Sequence, residues 1–199
     1  EHIVYAGEGW IELSDSQYFT CSDMEDFSFG VEICEDLWVA ESPSIRLAQS
    51  GASIICNLSC SDDLIGKAQY RRDLVKMQSA KLCCGYIYCD AGFGESTTDM
   101  VFSAQNVIAE NGTIVSESCR FNNGITYADI DVERLMCERR KTNTYIDYIP
   151  DENSKYYPDK EFEIEIHDTK LTRIFPCTPF VPSDKSDLEN RCEEILTIQ

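Results

Sequence analysis

The chain has 199 residues, 43% of them hydrophobic and 11% aromatic, which suffices for one core of ordinary size and is too much for a disordered segment. Seventeen Lys and Arg against 36 Asp and Glu give a formal net charge of −19; such a surface repels phosphate backbones and anionic membranes, which argues against nucleic-acid and membrane partners. No apolar run approaches the ~18 residues of a membrane span, and residues 1–10 lack the basic and hydrophobic regions of a secretory signal, so a cytoplasmic protein is expected. The chain opens without Met and closes inside a helical pattern, as expected of a mature product or of a piece of a longer protein.

In chain order, residues 1–28 are acidic, with Gly7, Gly9 and Ser/Asp clusters, and predict short strands and loops. Phe29 to Ile33 is a strand that runs into a turn at Cys34-Glu35-Asp36. Ser42-Pro43-Ser44 opens a helix that Gly51 stops, and Ala52 to Leu58 is a continuous apolar run of the kind buried on both faces. A helix follows over 67–82, with Tyr70, Leu74 and Met77 predicted to face inward. Lys67, Arg71, Arg72, Lys76 and Lys81 place five of the 17 bases in that segment, and the plain reading is a solvated basic face. Gly85 to Cys89 is a strand. Met100 to Glu110, Asn111-Gly112 and Thr113 to Ser118 spell a hairpin with a type I′ turn. Ile125 to Ile130 predicts a further strand, and Asp131 caps a helix to about Arg140. Beyond Lys141 lies a polar connector with Pro150 and Pro158, one more alternation at Phe162 to Ile166, prolines at 176, 179 and 182, and a helix opening near Ser183–Ser186. Strands alternating with helices, then a hairpin, indicate an α/β layered fold with a mixed sheet.

Eleven cysteines, an odd number, with no signal segment, indicate reduced thiols. No C-x2-C pair recurs with a second pair or a histidine pair, so no metal site is expected. Cys34 stands out because it lies where a buried strand meets a turn, the position at which α/β enzymes present nucleophiles. A buried core cysteine is the plain alternative. Two acids follow it, so thiolate formation needs a cation or base close by. The chain holds only His2 and His167, and pairing either with Cys34 would require it to fold back on itself, while a desolvated lysine stays open as a base.

Val31-Glu32-Ile33-Cys34-Glu35-Asp36-Leu37-Trp38, Pro43-Ser44, Ala48, Gly51-Ala52, Asn57-Leu58-Ser59, Ile65-Gly66-Lys67, Arg72, Gln78-Ser79-Ala80 and Gly94-Glu95-Ser96-Thr97-Thr98-Asp99, in that order, resemble the glutaminase domain of glutamine-dependent NAD synthetases, within the nitrilase (carbon-nitrogen hydrolase) superfamily. The resemblance is dense from Phe29 to Phe121 and looser to Arg140. Pro179-Phe180-Val181-Pro182 with Arg191-Cys192-Glu193-Glu194-Ile195 resembles the entry to the synthetase domain of the same enzymes.

The resemblance implies an α-β-β-α sandwich with a mixed sheet, shortened on its N-terminal side: glutaminase part at 1–140, linker at 141–182 and the start of the synthetase domain at 183–199. It also implies a Glu-Lys-Cys triad in which Cys34 attacks the side-chain amide of glutamine, giving a glutamyl thioester and ammonia. The family's Glu and Lys precede the cysteine strand, and residues 1–33 contain no lysine, so these partners are expected outside the chain and the chain alone is expected to be inactive. Lys67 follows the nucleophile and cannot be that lysine. Around glutamine the resemblance places Glu35, Trp38, Ser61 and Lys67; read plainly, Glu35 is a solvated turn residue and Ser61 a cap or loop hydroxyl. No cofactor or metal is implied for this segment. ATP and magnesium belong to the synthetase domain, which amidates nicotinic acid adenine dinucleotide. Implied partners are glutamine, that synthetase domain and, because open sheet edges invite pairing, a second copy of the chain. The loop from Gly92 to Thr98 lacks the spacing of a phosphate-binding loop; it is a signature in the family and is expected to shape a wall of the site. A free-standing nitrilase-like amidase and a catalytically dead interaction module are the rival readings.

Overall fold

The computed structural model describes residues 2–5, 7, 10–14, 16–145, 157–175, 177–178, 181–182 and 184–199, in two compact units, Glu1–Thr169 and Lys170–Gln199. In the first unit, β1 (His2–Tyr5) and β2 (Trp10–Leu13) pair antiparallel as a separate ribbon. The strands β3 (Gln17–Cys21), β4 (Ser28–Ile33), β5 (Ile54–Leu58), β6 (Gly85–Cys89), β7 (Val107–Glu110), β8 (Thr113–Glu117) and β9 (Tyr157–Phe162) form a seven-stranded mixed sheet in the order β8-β7-β6-β5-β4-β3-β9.

β4, β5 and β6 run parallel, which demands crossover connections, and the two predicted helices supply them. They are α1 (Pro43–Ser50), with Pro in its first turn and Gly51 at its end, and α2 (Lys67–Leu82). Both pack on one sheet face: Leu47, Val75 and Leu82 meet Ile55, Tyr86, Tyr88 and Val107 in a single core. Each fully buried aliphatic side chain there contributes about 1.5–3 kcal/mol. Gly30 is dictated by this packing, since a Cβ there would lie 3.0 Å from Leu47 Cδ1.

α2 lies where its period predicts but is rotated from the predicted orientation. Arg71, Val75, Ser79 and Leu82 point inward, while Tyr70 is 57% and Met77 62% exposed. The inward stripe begins with a cation, which a hydrophobicity pattern rejects. Arg71 is tolerated because polar partners wait for it: its Nη1 donates to Gln105 Oε1 at 2.6 Å, its Nη2 donates to Ser61 O at 3.4 Å, and Asp90 Oδ2 lies 3.7 Å from Nη2.

The hairpin turn is as predicted, with Asn111 (φ 42°) and Gly112 (φ 82°) both in the left-handed region that a type I′ turn requires. Its first strand starts at Val107 and not Met100, because residues 101–106 lie outside the ladder and Ala104 (φ 52°) breaks the extended run. Ile125–Ile130 is not a strand: Ile125 is exposed, and Ile130 instead packs over Gly85, where its Cδ1 would lie 3.0 Å from an added Cβ. The last alternation is also displaced. The strand is β9, parallel to β3, and residues 163–166 lie beyond it, while the Phe162 ring packs edge-on to Phe27 and tilted against Phe29, each at 5.5 Å between centroids.

Asp131 caps α3 (Val132–Lys141), accepting from Arg134 N. Its buried Arg139 donates to Cys83 O (3.0 Å), Ala48 O (3.3 Å) and Ala52 O (2.8 Å), so one guanidinium fork satisfies carbonyls at or near the carboxyl ends of α1 and α2. The sheet face away from α1 and α2 carries Val31, Ile33, Cys56, Leu58, Ile87 and Cys89 at alternating positions, with Ile33 63% and Leu58 57% exposed.

The second unit contains α4 (Lys185–Ile198), capped by Asp184, whose carboxylate accepts from Ser186 N and Asp187 N. Pro150, Pro176, Pro179 and Ser183, like Gly9 in the N-terminal segment, lie outside the described residues. Among the described residues no helix is long and apolar enough to cross a membrane.

Candidate active site

Strands β4, β5 and β6 end together, with Ile33 paired to Leu58 and Leu58 to Cys89. Loops leaving the carboxyl ends of parallel strands are where α/β sheets hold ligands. Here those loops carry Cys34, Ser61 and Asp90. Cys34 opens a short 3-10 helix (Cys34–Leu37) and sits in the left-handed region at φ 47°, a conformation that costs a non-glycine residue about 1–3 kcal/mol and persists only where the surroundings enforce it.

The enforcement is visible on both sides of the residue. Before it, Ile33 N donates to Asp36 Oδ2 at 2.7 Å, which turns Asp36 back toward β4. At it, Asn57 Nδ2 donates to Cys34 O at 3.4 Å and to Tyr86 OH at 3.3 Å. Tyr86 OH in turn donates to the buried Glu32, whose other oxygen accepts from Ser44 N at 2.9 Å, at the start of α1. Burial, followed by the Glu32 carboxylate, pushes the Tyr86 hydroxyl well above its usual range, so it stays a protonated donor. Periodicity marked none of Glu32, Asn57 or Tyr86 as a support for Cys34, since each looks like an ordinary strand residue.

A cavity of about 340 Å³ opens beside the thiol, lined by Cys34, Glu35, Trp38, Cys60, Ser61, Asp62 and Lys67. The five residues singled out from sequence, Cys34, Glu35, Trp38, Ser61 and Lys67, are thus brought together. Lys67 Nζ lies 2.6 Å from Asp62 Oδ1 and 5.5 Å from the centroid of the Trp38 ring. The hydrogen bond from Lys67, then its charge, hold the Asp62 carboxyl below the usual carboxylate range. Cys60 and Asp62 are the lining residues that sequence reasoning missed; for Asp62 the one available signal was its spacing from Lys67 across Gly66. Ser61 Oγ is 3.4 Å from Arg71 Nη2, and Ser61 N donates to Asp90 Oδ1 at 3.0 Å. Arg71, read from sequence as solvated, is therefore the fully buried floor of the Ser61 loop. Burial raises the Asp90 carboxyl despite Arg71, since 3.7 Å is too long for a tight ion pair.

On the other side of Cys34, a cavity of about 350 Å³ is lined by Cys34, Leu58, Ser59, Cys60, Cys89, Asp90 and Glu95 among others. Glu95, from the loop expected to shape a wall, accepts from Gly92 N at 2.9 Å. The thiols differ in chemical availability. Burial pushes Cys56 up to about 11 and Cys84 up to about 12, which keeps both protonated and inert near neutral pH. Cys34 is only partly buried and opens onto both cavities.

Residues 4–137 match the sequence profile of the family described as carbon-nitrogen hydrolase. Over 192 residues the chain is 38% identical to the glutamine-dependent NAD(+) synthetase of Mycobacterium bovis, covering 91% of this chain and 28% of that protein. It is 36% identical over 123 residues to the human protein of the same name, covering 60% of this chain and 17% of that one. The chain thus spans less than a third of the length of these relatives. Among solved structures, a Saccharomyces cerevisiae member of branch 10 of the nitrilase superfamily superposes with a TM-score of 0.54 at 18% identity, covering 72% of this chain and 51% of that one, a likeness of fold.

Proposed function

Because this chain belongs to the carbon-nitrogen hydrolase family, we propose that it is the nucleophile-bearing part of a glutaminase domain that supplies ammonia to an ATP- and magnesium-dependent synthetase domain of the same protein, which amidates nicotinic acid adenine dinucleotide to NAD. The observation that carries this reading is the cavity that gathers Cys34, Glu35, Trp38, Ser61 and Lys67 at the ends of β4 and β5. Its volume accommodates a small amino acid, and its chemistry suits one: a cation and a hydroxyl for the α-carboxylate, a carboxylate for the α-ammonium, and a thiol for the side-chain amide.

In this reading the Cys34 thiolate adds to the amide carbon of glutamine. Collapse of the adduct breaks the carbon–nitrogen bond, and the amine leaves as ammonia with a proton delivered to it; water then attacks the thioester carbon, releasing glutamate and restoring the thiol. The protein enforces the position of Cys34 through the left-handed turn and the Asn57 contact. The triad's Glu and Lys come from outside these 199 residues.

The test is Cys34→Ala in the full-length protein. Glutamine-driven NAD synthesis should fall by about three orders of magnitude or more, while synthesis driven by free ammonia continues. Survival of glutamine use would remove Cys34 as nucleophile.

A further inference from the structure

Lys67 is the cation lining the cavity, and it is already engaged by Asp62 at 2.6 Å. With Glu35, the lining carries two carboxylates and one ammonium. A ligand bearing only a carboxylate must therefore take Lys67 from Asp62 and leave two acids without a counter-charge, whereas a zwitterion brings a replacement for what it removes. Charges in a partly desolvated cavity are costly when unpaired. From this charge count we propose that Asp62 is a specificity-determining residue. Together with Lys67 it forms a pair that exchanges partners with the α-amino-acid head group: Lys67 passes from Asp62 to the α-carboxylate, and Asp62 passes from Lys67 to the α-ammonium.

The exchange leaves Lys67 and Asp62 both paired for glutamine and leaves Asp62 without a counter-charge for an ω-amide lacking the α-ammonium, so selectivity comes from a penalty on the wrong ligand as much as from attraction of the right one. Asp62 also lies beside the amino end of α2, where an acid is favourable whether or not a ligand is present. That local role acts equally on every substrate and is separable by experiment. The inference rests on the glutamine reading of the same cavity.

The experiment compares ammonia release from glutamine and from glutaramate, the same amide lacking the α-ammonium, by the full-length wild-type protein and its Asp62→Asn and Asp62→Glu variants. Asp62→Asn should lower kcat/KM for glutamine by about ten-fold or more while raising it for glutaramate, which no longer has to strand a carboxylate, and Asp62→Glu should recover part of the preference. An equal loss on both substrates, or no change on either, would overturn the proposal. Calorimetric binding of the two amides to Cys34→Ala and to Cys34→Ala/Asp62→Asn repeats the comparison without turnover, and an unchanged affinity ratio there would overturn it as well. A wild-type protein that releases no ammonia from glutamine would instead count against the glutaminase reading, leaving the binding ratio to decide on Asp62. The Asp62 side chain is 42% exposed, so neither substitution opens a hole in the core.

Discussion

Lys67 is the first helical residue of α2, where the positive end of the helix dipole disfavours a cation. Two features hold it there, the Asp62 carboxylate and the face of Trp38, and both also line the cavity. If this ammonium receives the substrate carboxylate, Lys67→Ala should raise KM for glutamine by about ten-fold or more, the worth of a charge-assisted bond of ~1.5–3 kcal/mol. Steady-state kinetics on the full-length protein checks this, with Lys76→Ala, on the exposed side of the same helix, expected to be silent. Equal behaviour of the two variants would make Lys67 one more surface base. Arg71 cannot serve as a control, although its sequence neighbourhood looks the same. Its removal takes the donor from buried Gln105 Oε1 and the nearest cation from Asp90, so the variant would lose stability whatever the residue does for binding. Lys67 was legible because a motif marked it; Arg71 was not, because its partners Gln105 and Asp90 come from distant loops that local periodicity does not report.

At the scale of elements, α1 and α2 were readable because punctuation and period agreed: Pro43 and Gly51 bracket one, and an uninterrupted helical period defines the other. The hairpin at Asn111-Gly112 was readable for the same reason. Ile125–Ile130 misled because alternation shows that residues can form a strand, not that they will pair with one; here Ile130 is instead anchored over Gly85 on a sheet face. Arg139 shows what holds these elements together. Its fork reaches three backbone carbonyls near the ends of α1 and α2; Ala48 O keeps Gly51 N as a second donor, whereas Cys83 O and Ala52 O rely on Arg139, and each buried carbonyl left unpaired costs about 1–3 kcal/mol. Arg139→Ala should accordingly lower the urea midpoint of unfolding by the equivalent of at least ~2 kcal/mol, with Arg139→Lys intermediate, because an ammonium cannot reach all three acceptors at once. An unchanged midpoint in Arg139→Ala would show that the helix ends are secured elsewhere.

For the molecule as a whole, a net charge of −19 exerts little long-range force on a zwitterion such as glutamine, so selection falls to the cavity itself. The layered α/β fold was evident from the alternation of strands and helices. The site's location followed once a parallel β4–β5–β6 core was recognised, since its loops converge at the strands' carboxyl ends. What the sequence did not disclose was the support beneath the nucleophile, the Asn57–Tyr86–Glu32 chain running from Cys34 to α1, because hydrogen bonds between strands leave no periodic trace. The most direct measurement is covalent capture with a glutamine analogue carrying a diazoketone in place of the amide. Applied to the full-length protein and followed by peptide mass spectrometry, it should give a single adduct within this chain, on Cys34, blocked by excess glutamine. An adduct on any other of the eleven cysteines, or a Cys34 left unmodified, would contradict the assignment of this thiol as the nucleophile.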